Sequence, residues 1–551
     1  MHRESAVDSK AGVEKGRSNR GVQVGLKVNA KQISGPDGTP ILAVIARNSV
    51  ANLVKMAILS LTAFLLPPLL VRVLDKPSYA TWLLILQIGT YVALFDATIQ
   101  TAISRFVARA HELRDHHNLA EMLSSAGVIN LCGGVFTALV TILGYWQLHR
   151  IFPSIPSSIS NDARTALLVF GFSLAISLPF STVAGAFLGF QMNQVNALAG
   201  SVGRLAGAAG AAWAAYRHHH LYVMAAWMAS GNLLQAVLFL LAWLQLKRPG
   251  LLRWTLVTRA AMREFAYFSY ALFAMQFGSI LISGLDLPIV AMFDFRSAAY
   301  YAIAATASNM LSVPQTAVVS TLIPVASGIS AAQDSRRLGQ AVLKTTRYAV
   351  AILCLLALPL LLGMHPFLRI WVGSDYAQHA VPMAYLLVVA QFVRLTFMPY
   401  VTIGFGAGQP DRMLISPLGE GVVNLAFSLL GAYFLGAIGV ALGTLIGAFA
   451  GILLHIFCSM PKTDSMSFSR GRFILSGILR PVACYLAVLL PALLIIRRES
   501  NLAAQLAIVG VTELFVFAAL WIFNFTAPER AEIVGLLTRK QMALGFSRVK
   551  S

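Results

Sequence analysis

The chain has 551 residues, 57% of them hydrophobic and only 12% charged, with a mean hydropathy of +0.72. Ordinary soluble domains are about a quarter charged, so a water-soluble fold is excluded. The net charge of +20 does not point to nucleic acid, because the Lys and Arg residues sit in the tails and in the gaps between apolar blocks.

Those blocks have the ~20-residue length that a helix rising 1.5 Å per residue needs to cross roughly 30 Å of hydrocarbon. None occurs before about Ile41. Residues 1–46, rich in Gly, Ser, Lys and Arg, read as a disordered cytoplasmic tail without a cleavable signal. Spans follow at 48–72, 79–104, 123–146, 165–189, 197–216 and 222–246, giving an N-terminal lobe over 47–246. A basic cytoplasmic linker, 247–264, leads to spans at 266–292, 298–327, 348–372, 381–404, 414–435 and 438–458, a C-terminal lobe over 265–458. An extra pair, 476–496 and 503–525, fills 459–525, and a basic cytoplasmic tail closes the chain at 526–551. The fold class is therefore all-α and integral to a membrane, with about fourteen crossings. Cys132, Cys354, Cys458 and Cys484 lie in or beside apolar blocks and read as buried apolar side chains.

With the N-terminus inside, one set of alternating loops collects roughly thirty Lys and Arg and the other about eight, which places both termini in the cytosol. Two turns repeat at a similar offset. Asp75 and Ser78 between the first two spans match Asp294 and Ser297 between the seventh and eighth, where an Asp closes one helix and a Ser caps the next. Gln191 after the fourth span matches Gln409 after the tenth. The shared offset of about 218 residues points to two six-span halves, a common plan in transporters.

Tyr79-Ala-Thr-Trp82, the run Tyr91 to Arg105 around Asp96, Gly284-Leu-Asp286-Leu-Pro-Ile-Val and the stretch Asn424 to Thr444 together resemble the Wzx-type polysaccharide flippase family. That family is a branch of the multidrug/oligosaccharidyl-lipid/polysaccharide exporter superfamily. Ala97 departs from the Gly often found after the aspartate at 96. The resemblance implies a MATE-like exporter of two six-helix lobes plus two C-terminal helices. It would move an undecaprenyl-pyrophosphate-linked sugar unit across a bacterial inner membrane, with the lipid-linked oligosaccharide, membrane lipids and other polysaccharide assembly proteins as partners.

An ionisable side chain at bilayer depth costs about 2.5 to 3.5 kcal/mol on insertion scales and marks a candidate site. The cations Arg394, Lys55 and Arg204 are candidates for holding an anionic headgroup, with snorkelling or pairing with a neighbouring acid, Asp96 in the case of Lys55, the structural alternative for Lys55 and Arg204. The acids Asp286, Asp96 and Glu420 are candidates for ion coupling, with structural pairing as the alternative. Pro288, close to Asp286, marks a helix break, and Pro67 and Pro68 suggest a bent leading helix in the first half as well. Glu513 stays unassigned. Aromatics such as Tyr300, Tyr301 and Tyr400 suit sugar stacking if they face a cavity.

Several features carry no function. The run His218-His219-His220 reads as a solvated turn without a converging carboxylate, and the acidic loop with His111, His116 and His117 as an interfacial helix. No Gly-x-x-x-x-Gly-Lys-[Ser/Thr] loop is present, so ATP chemistry is not expected. Neither a metal nor a cofactor is expected, nor an enzymatic activity. A cation or drug exporter of the same superfamily is the nearest alternative; a glycan polymerase or ligase and a non-transporting scaffold are further ones.

Overall fold

The computed structural model describes residues 41–246, 253–463, 465–531 and 533–535. The remainder of both expected tails and the start of the linker lie outside these residues. The first half comprises α1 (Ile41–Val71), α2 (Lys76–Glu112), α3 (His116–Ile151), α4 (Ser157–Ser177), α5 (Ser181–Gly189), α6 (Asn193–His218) and α7 (Leu221–Gln245). The second comprises α8 (Arg259–Ser279), α9 (Asp286–Phe293), α10 (Phe295–Asn309), α11 (Ser312–Ser320), α12 (Leu322–Ala331), α13 (Ser335–Trp371), α14 (Ser374–Leu395), α15 (Met398–Gly406) and α16 (Pro410–Leu454). The short α17 (Arg470–Arg472), α18 (Arg480–Ile496) and α19 (Leu502–Ala519) form the extra pair.

Every expected span coincides with a helical segment. Helix starts earlier than expected at two boundaries, at Ile41 in the presumed tail and at Arg259 in the presumed linker, where the Thr258 hydroxyl caps α8 by accepting from Ala261 N at 3.1 Å. Among the described residues, eleven helices are long and apolar enough to cross a membrane. The other segments are α6, diluted by small and polar residues, and the interrupted run α10–α12. One of the eleven, Pro410–Lys462, has 53 residues. At 1.5 Å per residue that is far longer than a bilayer core, and it folds back at Gly436, where φ is +59°.

Glycine governs that fold-back. Gly431 faces Gly439 so closely that a Cβ on either would strike the other's backbone, and Gly443 and Gly447 meet Ser428 and Asn424 in the same way. α6 and α7 make the equivalent hairpin in the first half, with Gly203 against Gly231 and a turn at His219. Small residues permit such contacts where apolar burial gives helices no net attraction.

The repeat is visible in the backbone. Left-handed turns pair Arg114 with Gln333 (φ 54° and 55°), Gln191 with Gly408 (60° and 77°) and His219 with Gly436 (56° and 59°), each pair about 218 residues apart. Asp115 and Asp334, equally spaced, each accept a first-turn N–H at 2.9 Å, from Asn118 and Arg337. The expected Ser caps are corrected. Asp75 and Asp294 occupy the N-cap positions without a side-chain cap bond, and Ser78 and Ser297 lie inside the first turn. Asp294 instead accepts from Ala437 N at 3.3 Å, bracing the turn at Gly436.

Alternating turns define two ends of the molecule. The basic end carries Arg109, Arg114, Arg336 and Arg337; the far end carries the turns at Asp75, His219, Asp294, Gly373 and Gly436. Cys132 is exposed on the outer surface, so only Cys354 fits the expected full burial.

Candidate functional site

Between the halves lies a cavity of about 820 Å³, walled by α1, α2, α4, α6 and α7 on one side and by α9, α10, α14 and α16 on the other. Asp96, Arg204, Asp286 and Arg394 line it. Lys55 and Glu420 do not.

Arg204 projects from α6 and, among the described residues, has no ion-pair or hydrogen-bond partner. The amides of Asn232 and Gln235, from α7, line the same cavity. Lys55, on α1, stands behind this wall against Gly200, where an added Cβ would lie 4.0 Å from its Nζ. No ion pair within 4 Å joins Lys55 to Asp96 among the described residues, although the two are within electrostatic reach. The Asp96 Oδ2 accepts from Gln100 Nε2 at 2.8 Å, while its Oδ1 is buried without a hydrogen-bond partner among the described residues.

Arg394 is held from two sides. Its Nε donates to Glu420 Oε1 at 2.6 Å and its Nη1 to Gln391 Oε1 at 2.7 Å, while Gln391 itself donates to the Ser312 hydroxyl. Nη2 is buried without a partner among the described residues. Glu420 is buried against Gly451, where a Cβ would sit 2.5 Å from Oε2, so the glycine makes room for the carboxylate. Of the three cations expected on the cavity wall, Arg204 and Arg394 line it and Lys55 does not. Arg394 is already paired, Lys55 is set back, and Arg204 alone faces the cavity unpaired among the described residues.

Asp286 stands at the start of α9, directly after a wide turn at Ile280–Gly284 with i to i+5 bonding that interrupts the seventh span. The break precedes Pro288, which therefore sits in the first turn of α9, where a missing N–H costs nothing. In the first half, Pro67 and Pro68 lie inside α1, which is continuous as helix. Wide turns leave carbonyls short of partners, and side chains supply them. Asn424 Nδ2 donates to Leu281 O at 3.2 Å and also to Ile282 O; Gln87 Nε2 and Tyr91 OH donate to Gly284 O at 3.1 and 2.5 Å. The buried Asp286 Oδ2 accepts from Tyr301 OH at 3.1 Å and Thr444 Oγ1 at 3.0 Å. Ser428 Oγ donates to Asn424 Oδ1 at 3.0 Å and completes an oxygen-rich cluster.

At the far end the halves are clasped. Pro68 lacks the N–H that would bond the carbonyl of Phe64, four residues back. Trp371 of α13 fills that vacancy, with Nε1 2.9 Å from Phe64 O and its ring stacked on Phe64 at 5.5 Å. Beside it Lys76 pairs with Asp375 at 2.9 Å, Tyr300 OH donates to Asp375 at 3.1 Å, and His379 stacks on Tyr300 at 4.8 Å. Tyr300 therefore belongs to this clasp. Tyr301 lines the cavity while serving Asp286. Tyr400 is buried elsewhere, bonded to Thr463 at 2.8 Å. The reading of the His run as lacking a carboxylate is likewise corrected: Asp162 accepts from Leu221 N and Tyr222 N and lies 3.7 Å from His220.

The sequence matches no family model and no curated protein. Solved structures do match. Lipid II flippase MurJ in an inward closed conformation superposes with a TM-score of 0.63 over 86% of this chain and 99% of its own, at 14% identity. The chain shares the fold of this flippase. An inward-facing multidrug resistance MATE family transporter of the MOP superfamily gives 0.59 over 74% of this chain and 97% of its own, at 15% identity. An outward-facing one gives 0.52 over 77% and 96%, at 17% identity. Identities this low speak for the fold alone.

Sequence reasoning missed the partners. Asn424 and Thr444 stood at the two ends of a motif valued only for resemblance, and Gln391 lies one helical turn before Arg394, the spacing at which side chains on a helix meet. Either polar residue in an apolar span was a usable signal. The clasp was not legible, since Lys76, Asp375 and Trp371 fall in turns or at helix ends where polar and aromatic residues are ordinary.

Proposed function

We propose that the chain is a secondary transporter that flips a polyprenyl-pyrophosphate-linked oligosaccharide across the bacterial inner membrane, by alternating access of the two halves around the central cavity. The fourteen helical segments are read as fourteen crossings, with the basic end and both termini cytoplasmic. The product would enter surface polysaccharide, and other assembly proteins would receive it.

One observation carries this reading: Arg204, which has no partner among the described residues, faces a cavity between two repeats that are clasped at the far end. A pyrophosphate cannot enter hydrocarbon bare, because an isolated charge there costs tens of kcal/mol by Born solvation. A guanidinium free of an internal carboxylate offers its fork to phosphate oxygens bidentately. Arg394 supplies a second, restrained cation whose Nη2 lacks a partner among the described residues, with Glu420 and Gln391 as positioning residues. Asp286, ringed by Asn424, Thr444 and Tyr301 beside the wide turn at Ile280–Gly284, is the leading ion-coupling group, and Asp96 the second. Glu420 is better assigned to Arg394 than to coupling. We read the chain as a transporter and not as an enzyme.

Deleting the gene in its host and identifying the lipid-linked glycan that accumulates tests the reading, with complementation by wild type but not by Arg204→Gln. The acids Asp96 and Asp286, on opposite walls of the cavity, favour one alternative, export of an organic cation. That alternative expects drug sensitivity with normal surface polysaccharide, and tolerance of Arg204→Gln.

A further inference from the structure

Away from the central cavity, α1 and α6 pack side by side and run in the same direction. Lys55 lies beside Gly200 towards the basic end, and at the far end Arg72, Val73, Tyr216, Arg217 and His219 surround one open hollow of about 440 Å³. Arg72, directly after α1, and Arg217, in the last turn of α6, therefore share one concavity. Both guanidiniums are exposed, and among the described residues neither has an ion-pair or hydrogen-bond partner.

Three acids of this face are occupied elsewhere. Asp162 caps α7, Asp294 braces Ala437 and Asp375 holds Lys76. Asp75, on the turn after Arg72, is exposed and forms no ion pair within 4 Å among the described residues. Compensation of a helix C-terminus accounts for one cation per helix and about 0.3–1 kcal/mol. It does not require two arginines, an imidazole and a phenol to share a hollow on the face that carries the fewest cations.

Depth identifies the occupant. Trp213, Tyr216, Tyr222 and Trp227 are exposed around this corner, with the Trp213 ring 5.9 Å from Trp227 and 5.6 Å from His218. Exposed Trp and Tyr gather at the headgroup level of a bilayer. From there towards the basic end, Leu61, Leu65 and Leu69 of α1 and Leu198 and Leu205 of α6 are exposed and apolar, as a lipid-facing seam requires. We infer that Arg72, Arg217 and His219 form a binding site for the phosphate of a lipid in the far-end leaflet, with its chain lying along the α1–α6 seam. Two arginine forks match phosphate oxygens, and the site favours an anionic lipid over a zwitterionic one, which brings its own cation.

The proposal does not depend on the transported cargo. It is tested by native mass spectrometry of the full chain in detergent, titrated separately with phosphatidylglycerol, phosphatidylcholine, polyprenyl phosphate and inorganic phosphate. Wild type should retain phosphatidylglycerol or polyprenyl phosphate in preference to phosphatidylcholine. Arg72→Gln/Arg217→Gln should retain it roughly ten-fold less, and Arg150→Gln, an exposed arginine at the same end, should match wild type. Preference for phosphatidylglycerol makes the occupant a bulk membrane lipid, and preference for polyprenyl phosphate makes it a carrier lipid; both support a lipid-phosphate site. Equal retention by the double variant and wild type overturns it, as does inorganic phosphate binding as tightly as either lipid. Should the double variant lose its thermal transition, Arg217→Gln alone gives the same comparison.

Discussion

Replacing Trp371 with Phe removes a single hydrogen bond from the far-end clasp and leaves its aromatic stacking possible. Phe64 O has no intrahelical donor because Pro68 occupies the position four residues on, and the indole N–H of Trp371 is what it accepts. A net hydrogen bond is worth about 0.5–1.5 kcal/mol, and a stranded carbonyl costs at least as much. A loss of about 1 kcal/mol shifts an equilibrium roughly five-fold. The neighbouring Lys76–Asp375 pair has side chains 47% and 49% exposed, so it contributes at most ~1 kcal/mol and less in salt. Trp371→Phe should therefore open the far end more than Lys76→Gln does. Opening is read from the rate at which a cysteine at Ala93, on the cavity wall, reacts with an impermeant maleimide added from the far side, in a background lacking the four native cysteines. Unchanged labelling in Trp371→Phe, or a larger increase in Lys76→Gln, would refute the assignment of the clasp.

Arg394→Gln should impair transport severely, and Glu420→Gln added to it should recover thermal stability but not transport, because the lone buried carboxylate is the costlier defect; melting and glycan export in the double variant separate the two. Asn424→Ala strands the Leu281 and Ile282 carbonyls, so it should lower the melting temperature and blunt any dependence of transport on the coupling ion, as measured in vesicles under imposed sodium and proton gradients. Gly439→Leu forces a side chain into the backbone of Gly431 and should destabilise the hairpin by about 1–3 kcal/mol or more, seen as poor detergent stability, whereas leucine at Gly510, with open space around it, should be neutral.

Hydropathy made the spans legible because a bilayer imposes a length on each helix, and the repeat could be read because its turns need special residues. The pairing of Gln191 with Gly408 shows how closely: the sequence match aligned Gln409, one residue away from the backbone match. What escaped were interactions that join distant segments. Asn424 reaches Leu281 across 143 positions and Trp371 reaches Phe64 across 307, and neither spacing has a periodic signature. The buried charges could be named but not sorted. Arg204 and Arg394 look alike in sequence, and only the fold-back of α16, which brings Gly451 against Glu420 and leaves that acid facing Arg394, separates a paired arginine from one without a partner among the described residues.

The central claim is that the cavity carries an anionic lipid-linked glycan past Arg204. Its most direct measurement is flipping by the purified chain in proteoliposomes loaded with a short-chain polyprenyl-pyrophosphate oligosaccharide, followed by the sugar's accessibility to an added glycosidase. Wild type should expose sugar faster than protein-free vesicles, and Arg204→Gln should fall to that background. Flipping that survives Arg204→Gln at the wild-type rate, or its absence in wild type alongside active efflux of an organic cation, would contradict it.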